Sequence, residues 1–145
     1  MQTPRKTSIL YFDDEETCLD VFQQIFGDEY DVCAVSTLAA AQEALGRERF
    51  DIIISDQLMP EIDGLTFLRE MARTRPETFR MMLTGSIGVG NVIRELSAGI
   101  IHLFVTKPWT EPNMKQALER ARLSGANGAT RPGKVRQESP ARNAA

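Results

Sequence analysis

Five polar side chains stand at the ends of β-rich apolar runs in this sequence, and together their chemistry is that of phosphoryl transfer. Asp13 and Asp14 follow SILYF (8–12), Asp56 follows DIIIS (51–55), Thr84 ends FRMMLT (79–84), and Lys107 follows IHLFVT (101–106). Carboxylates gathered at one spot repel and raise one another's pKa. A hard divalent cation with oxygen ligands removes that conflict, and Mg²⁺ is the usual choice where phosphate is handled. An ammonium such as Lys107 then grips an anion, and a hydroxyl such as Thr84 donates to a phosphoryl oxygen. Phosphoryl transfer needs mainly positioning and charge stabilisation, and a carboxylate can be its nucleophile. Asp56 is the candidate nucleophile because it stands alone at its strand tip, whereas Asp13 and Asp14 form a metal-like pair. Singly, each feature has a plainer reading. Adjacent acids cap helices or face solvent, an Asp before a turn is a common loop residue, and Lys-Pro is commonplace. Joint placement at four strand ends carries the chemistry.

Those ends converge only if one sheet aligns them. A further β-rich run, YDVCAV, covers 30–35. Between the runs, apolar residues recur at helical spacing. The sets are Cys18, Phe22, Ile25 and Phe26; Leu38, Ala41 and Leu45; Leu65, Leu68 and Ala72; and Val89, Val92, Ile93 and Leu96. Pro76 stops the third helix, and Gly99 stops the fourth. Thr110 caps a fifth carrying Met114, Ala117, Leu118 and Ala121. Five β-α units in strict alternation predict an α/β fold, a five-stranded parallel sheet wound with helices on both faces. Ligands of such sheets bind beyond the carboxyl ends of the strands. Gly88 and Gly90 in GSIGVG (85–90) predict a fourth helix that starts late or frays. That segment lacks the Gly-Lys-Ser/Thr ending of a phosphate loop.

The bulk properties agree with one soluble domain. The chain has 145 residues, 42% hydrophobic and 26% charged, which is globular composition. Residues 1–123 hold 13 Lys/Arg against 19 Asp/Glu, and residues 124–145 hold four Lys/Arg against Glu138. In that last segment only Val135 is apolar and larger than Ala. The folded domain is therefore set at 6–123, with 124–145 a disordered tail or the start of a linker. No run is long enough to span a membrane, and no secretion signal opens the chain, so the cytoplasm is the expected compartment. Cys18 and Cys33 are too few for a disulfide scaffold or zinc cluster and read as small core hydrophobes. His102 is the only histidine, which excludes a multi-histidine metal site; it has no evident partner in sequence. Trp109 fits a core edge or a partner surface equally. A net charge of −3 gives no reason to expect nucleic acid.

The quoted segments resemble the receiver domain of two-component response regulators. DD at 13–14, SDQLMPEIDG at 55–64, LTG at 83–85 and FVTKPW at 104–109 carry the resemblance. They stand in order, with 42 residues from Asp14 to Asp56, 28 to Thr84 and 23 to Lys107. The resemblance spans about residues 6–123 and implies a flavodoxin-like sheet of order 2-1-3-4-5 with five helices. It implies that Asp56 is the phosphoacceptor. Asp14, Asp56 and the backbone carbonyl of Leu58 would hold Mg²⁺, or Mn²⁺ in its place, with Asp13 acting through water. Lys107 would contact the phosphoryl group, and Pro108 would follow a cis peptide. Thr84 and Phe104 would form the switch, changing the surface of the fourth helix, fifth strand and fifth helix. Met59-Pro60 and Gly64 match the loop into the third helix.

The implied function is a signalling domain that catalyses only its own phosphorylation and dephosphorylation. Its donor would be a histidine kinase or a histidine phosphotransfer protein. Its output would be an unknown partner or fused domain, and the KPW ending resembles receivers found in hybrid kinases and in regulators fused to cyclic-dinucleotide phosphodiesterases of the HD type. No membrane partner is expected. Two other readings compete. A phosphorylation-independent adaptor would have lost Asp56, Thr84 or Lys107, and none is lost. A Mg²⁺-dependent phosphohydrolase would carry its Asp-x-Asp nucleophile motif after the first strand, where this chain has Asp-Asp-Glu-Glu.

Overall fold

Strands rich in Ile, Val, Phe and Met are stable where both faces are covered, and the structure buries them so. In this computed structural model residues 5–85, 94, 96 and 98–130 are described. The elements are β1 (Ser8–Phe12), α1 (Glu16–Phe26), β2 (Asp31–Val35), α2 (Leu38–Arg47), β3 (Ile52–Asp56), α3 (Gly64–Thr74), β4 (Phe79–Thr84), β5 (Leu103–Thr106) and α4 (Glu111–Thr130). The strands form one parallel sheet in the order β2-β1-β3-β4-β5. Every residue of β1 and β3 is buried.

Alternation along the strands divides the core in two. Ile9, Tyr11, Ile52, Ile54, Met81 and Leu83 face α1 and α4, packing with Phe22, Phe26, Met114 and Leu118. Leu10, Phe12, Ile53 and Met82 face α2 and α3, packing with Ala41, Leu45, Phe67 and Leu68. Caps set three of the helix starts. The Thr37 hydroxyl accepts from Ala40 N, Asp63 from Thr66 N at 2.7 Å, and Thr110 from Asn113 N at 3.2 Å. Gly99 holds a left-handed φ of +82° after the segment expected as the fourth helix. That helix, and the late start expected from Gly88 and Gly90, lie outside the described residues apart from isolated positions.

The final helix runs to Thr130, into the segment expected as a disordered tail or the start of a linker, and residues beyond it lie outside those described. One expectation needs correction. His102 has partners: its Nδ1 accepts from Arg80 N at 2.9 Å, and its ring stacks on Phe79 with centroids 4.9 Å apart. Beside it lies Arg80, only 4% exposed. Its guanidinium donates to the carbonyls of Arg75, Pro76, Thr78, Gly99 and Ile100, joining the turn before β4 to the turn before β5. Burial pulls its pKa down to about 10.

Two tests follow from this packing. Asp51 accepts from Ser8 N at 2.8 Å and pairs with Arg5 at 3.1 Å, fixing the start of β3 beside β1. Burial pushes its carboxyl up, but the Arg5 and Ser8 donors outweigh it and hold the pKa below 3.8. Its charge therefore stabilises the fold above that value, and the contribution fades as pH falls through the lower folded-state pKa. Asp51→Asn is expected to cost about 1 kcal/mol at neutral pH. Urea unfolding of both proteins should show the gap closing as pH drops below the ordinary carboxylate range. At the start of α3, a Cβ on Gly64 would lie 2.3 Å from the Asp56 carbonyl oxygen and 3.0 Å from the Gln57 Cα. Backbone cannot yield as a side chain can, so Gly64→Ala should destabilise by about 1–3 kcal/mol and shift the Asp56 amide resonance in a heteronuclear NMR spectrum.

Candidate functional site

The strand ladder extends past the strand ends and so fixes the loop residues of the site. Asp13 N donates to Val35 O at 3.1 Å, Gln57 N to Leu83 O at 2.9 Å, and Lys107 N to Thr84 O at 2.8 Å. Asp13, Asp56 and Lys107 continue the face of Tyr11, Ile54 and Val105, each two residues on. Their side chains meet accordingly. Lys107 Nζ lies 2.9 Å from Asp56 Oδ1, 3.3 Å from Asp13 Oδ2 and 3.7 Å from Glu15 Oε1. Asp13 is wholly buried, Asp56 nearly so, and Asp14 is exposed at the rim. A hollow of about 320 Å³ opens above them, bounded by Asp14, Glu15, Asp56, Leu58, Thr84 and Lys107. Leu58 is 79% exposed at its edge.

The electrostatics are those of an underneutralised anionic cluster. Carboxylate oxygens of Asp13, Asp14 and Asp56 all lie within 4.8 Å of one another. Burial raises the Asp56 pKa most, the Lys107 hydrogen bond opposes it, and the charges of Asp13 and Asp14 add to the rise. For Lys107 burial acts against the charge, but Asp56 and Asp13 outweigh it and drive the pKa upward. One ammonium among three carboxylates leaves room for more positive charge. The all-oxygen donor set fits a hard divalent cation such as Mg²⁺.

Thr84 and Phe104 come from the opposite face of the sheet. Met82 pairs with Phe104, and Thr84 with Thr106, so Thr84 and Phe104 share a face two positions apart on neighbouring strands. Thr84 is 2% exposed and its hydroxyl donates to Gly85 O at 3.1 Å. Phe104 is half-buried against the Leu10–Met82 core. The Lys107–Pro108 peptide is cis. Next to it Trp109 packs edge-on to Phe22, with centroids 6.3 Å apart. Trp109, Pro108, Cys18, Val21 and Ile25 line an apolar groove of about 520 Å³ beside Lys107, so Trp109 belongs both to the core edge and to a surface hollow.

Two contacts were not legible as site contacts. Glu15 approaches Lys107 and accepts from the Cys18 thiol at 3.3 Å; the acidic run showed it, but its position suited a helix cap. Burial and that Glu15 contact push Cys18 up to about 11. Tyr11 lies within a buried strand, yet its hydroxyl donates to Asp13 Oδ2 at 2.7 Å. Strand alternation was the available signal, since residues 11 and 13 share a face.

The sequence model of the response regulator receiver domain matches residues 9–119. The chain is 28% identical over 125 residues to the hydrogenase transcriptional regulatory protein HoxA of Cupriavidus necator, covering 83% of this chain and 26% of that protein. It is 30% identical over 106 residues to the response regulator SaeR of Staphylococcus aureus, covering 72% and 45% respectively. The chain thus spans less than half the length of either relative. Among solved structures it resembles the signal receiver domain of an HD domain-containing protein from Pseudomonas fluorescens, at 26% identity and TM-score 0.81, covering 90% and 97%. It shares its fold with a CheY-like receiver domain protein from Methanospirillum hungatei, at 24% identity and TM-score 0.73, covering 86% and 98%. Strand order, acidic site and sequence likeness agree, and the chain belongs to the response regulator receiver domain family of two-component signalling.

Proposed function

We propose that Asp56 is the phosphoacceptor of this receiver domain. The carrying observation is its nearly buried carboxylate at the tip of β3, 2.9 Å from Lys107 Nζ and gathered with Asp13 and Asp14. The donor is a phosphohistidine of a histidine kinase or phosphotransfer protein. An Asp56 oxygen attacks phosphorus, the P–N bond breaks as the P–O bond forms, and the imidazole nitrogen keeps the electron pair. Asp14, Asp56 and the Leu58 carbonyl are the residues that would hold Mg²⁺, with Asp13 reaching it through water. The ion would supply neutralising charge for the incoming phosphoryl oxygens. Lys107 orients one of those oxygens, and the apolar groove at Cys18, Val21 and Trp109 lies where a donor protein would approach Asp56.

The modified site carries about −1.5 to −2 more charge. Thr84 then has a stronger acceptor than the Gly85 carbonyl. Turning toward it frees space on the face it shares with Phe104, and Phe104 moves inward. That changes the surface around β5 and α4, where Leu103, Val105, Asn113, Gln116 and Arg120 border a cavity of about 340 Å³. An output partner or fused domain reads this surface. An HD-type output is supported by the Pseudomonas fluorescens receiver likeness and the KPW segment.

Intact mass after incubation with acetyl phosphate tests the assignment. A single phosphoryl adduct is expected in the wild type, dependent on Mg²⁺ and missing in Asp56→Asn; an unmodified wild type would overturn it. Leu58 bears on the lifetime of the adduct, since an apolar side chain at the hollow's edge does not position water for attack. Leu58→Asn should shorten the acyl-phosphate half-life several-fold, followed by loss of the adduct mass over time.

A further inference from the structure

Asp13 is a carboxylate without solvent contact, so each of its oxygens must find a donor inside the protein. Oδ1 accepts from Glu15 N at 3.0 Å. Oδ2 accepts from two groups, the Tyr11 hydroxyl at 2.7 Å and Lys107 Nζ at 3.3 Å. These two donors differ in kind. Lys107 is a flexible ammonium that also bonds Asp56, and at the shorter distance of 2.9 Å. Tyr11 is wholly buried in the middle of the sheet, and its ring is held against Phe22 with centroids 4.9 Å apart. Its hydroxyl is fixed in place by packing.

We infer that Tyr11 is a positioning residue of the phosphorylation site: its hydroxyl is the donor that Asp13 keeps when Lys107 turns to the phosphoryl group. The inference rests on the phosphoacceptor role of Asp56. A phosphoryl group on Asp56 brings new anionic oxygens within reach of Lys107 and draws it from the longer of its two bonds. Without Tyr11, Asp13 Oδ2 would then keep no donor from the protein, which is costly for a buried anionic oxygen. With Tyr11 that oxygen stays satisfied, and Asp13 keeps its place beside Asp14 and Asp56. Tyr11 therefore matters little while Lys107 rests on Asp13, and matters most in the modified state.

The test uses the full chain as wild type, Tyr11→Phe, Asp13→Asn and the double variant. Phenylalanine keeps the ring contact with Phe22 and removes only the donor. Beryllofluoride, a phosphoryl mimic, is titrated in Mg²⁺ by calorimetry with Trp109 fluorescence alongside, and thermal unfolding is measured without either ion. Tyr11→Phe is expected to weaken beryllofluoride binding roughly tenfold while leaving unliganded melting close to wild type. In the Asp13→Asn background the same substitution should change binding little, because the partner it acts through is altered. Equal affinity of Tyr11→Phe and wild type overturns the inference. So does the same loss in both backgrounds, or a fall in unliganded stability that accounts for the whole loss, since either assigns Tyr11 to packing alone. A wild type that binds no beryllofluoride and gains no acetyl-phosphate adduct overturns the phosphoacceptor reading itself, and the inference with it.

Discussion

One ammonium held among three carboxylates governs this end of the molecule. Lys107 reaches Asp56 and Asp13 at hydrogen-bond distance, and Asp14 stands at the rim without such a contact. Desolvation magnifies both the attraction and the residual repulsion. The cluster therefore keeps uncompensated negative charge at the rim, in an all-oxygen setting that suits a hard cation. Everything beneath it serves to keep these four groups from drifting apart. Ladder bonds continue past three strand ends, and Gly64 lets α3 start directly against the carbonyl of Asp56.

The sheet does more than collect side chains, because it sorts them by face. Odd-numbered neighbours such as Tyr11, Asp13, Val105 and Lys107 lie toward α1 and α4. Met82, Thr84 and Phe104 lie toward α2 and α3. The carboxylates and Lys107 thus occupy one face of the layer and Thr84 and Phe104 the other, and Thr84 borders the hollow at the rim the two faces share. This division follows from the two-residue period of a strand.

Much of this was legible in the sequence because the informative residues sit at element ends. Buried parallel strands announce themselves as continuous apolar runs, and the polar residue that breaks each run marks its tip. The four strand ends and Asp13, Asp14, Asp56, Thr84 and Lys107 were readable in this way. Tyr11 was not, since an aromatic inside an apolar run reads as core and only the third dimension shows where its hydroxyl points. Arg80 and His102 were missed for a related reason. Their hydrogen-bond partners are backbone groups, carbonyls of two turns for Arg80 and a β4 amide for His102, and backbone atoms leave no mark in a sequence.

Arg80 gives the fourth strand two unlike ends. At its base the guanidinium is bonded to neutral carbonyls from two turns. At its top the backbone is held by its neighbours, with Gln57 N donating to Leu83 O and Lys107 N to Thr84 O, and only the Thr84 hydroxyl has a local partner, the carbonyl beside it. A strand clamped along its backbone at both ends has little freedom to shift as a body. What it can change cheaply at its tip is a side-chain rotamer.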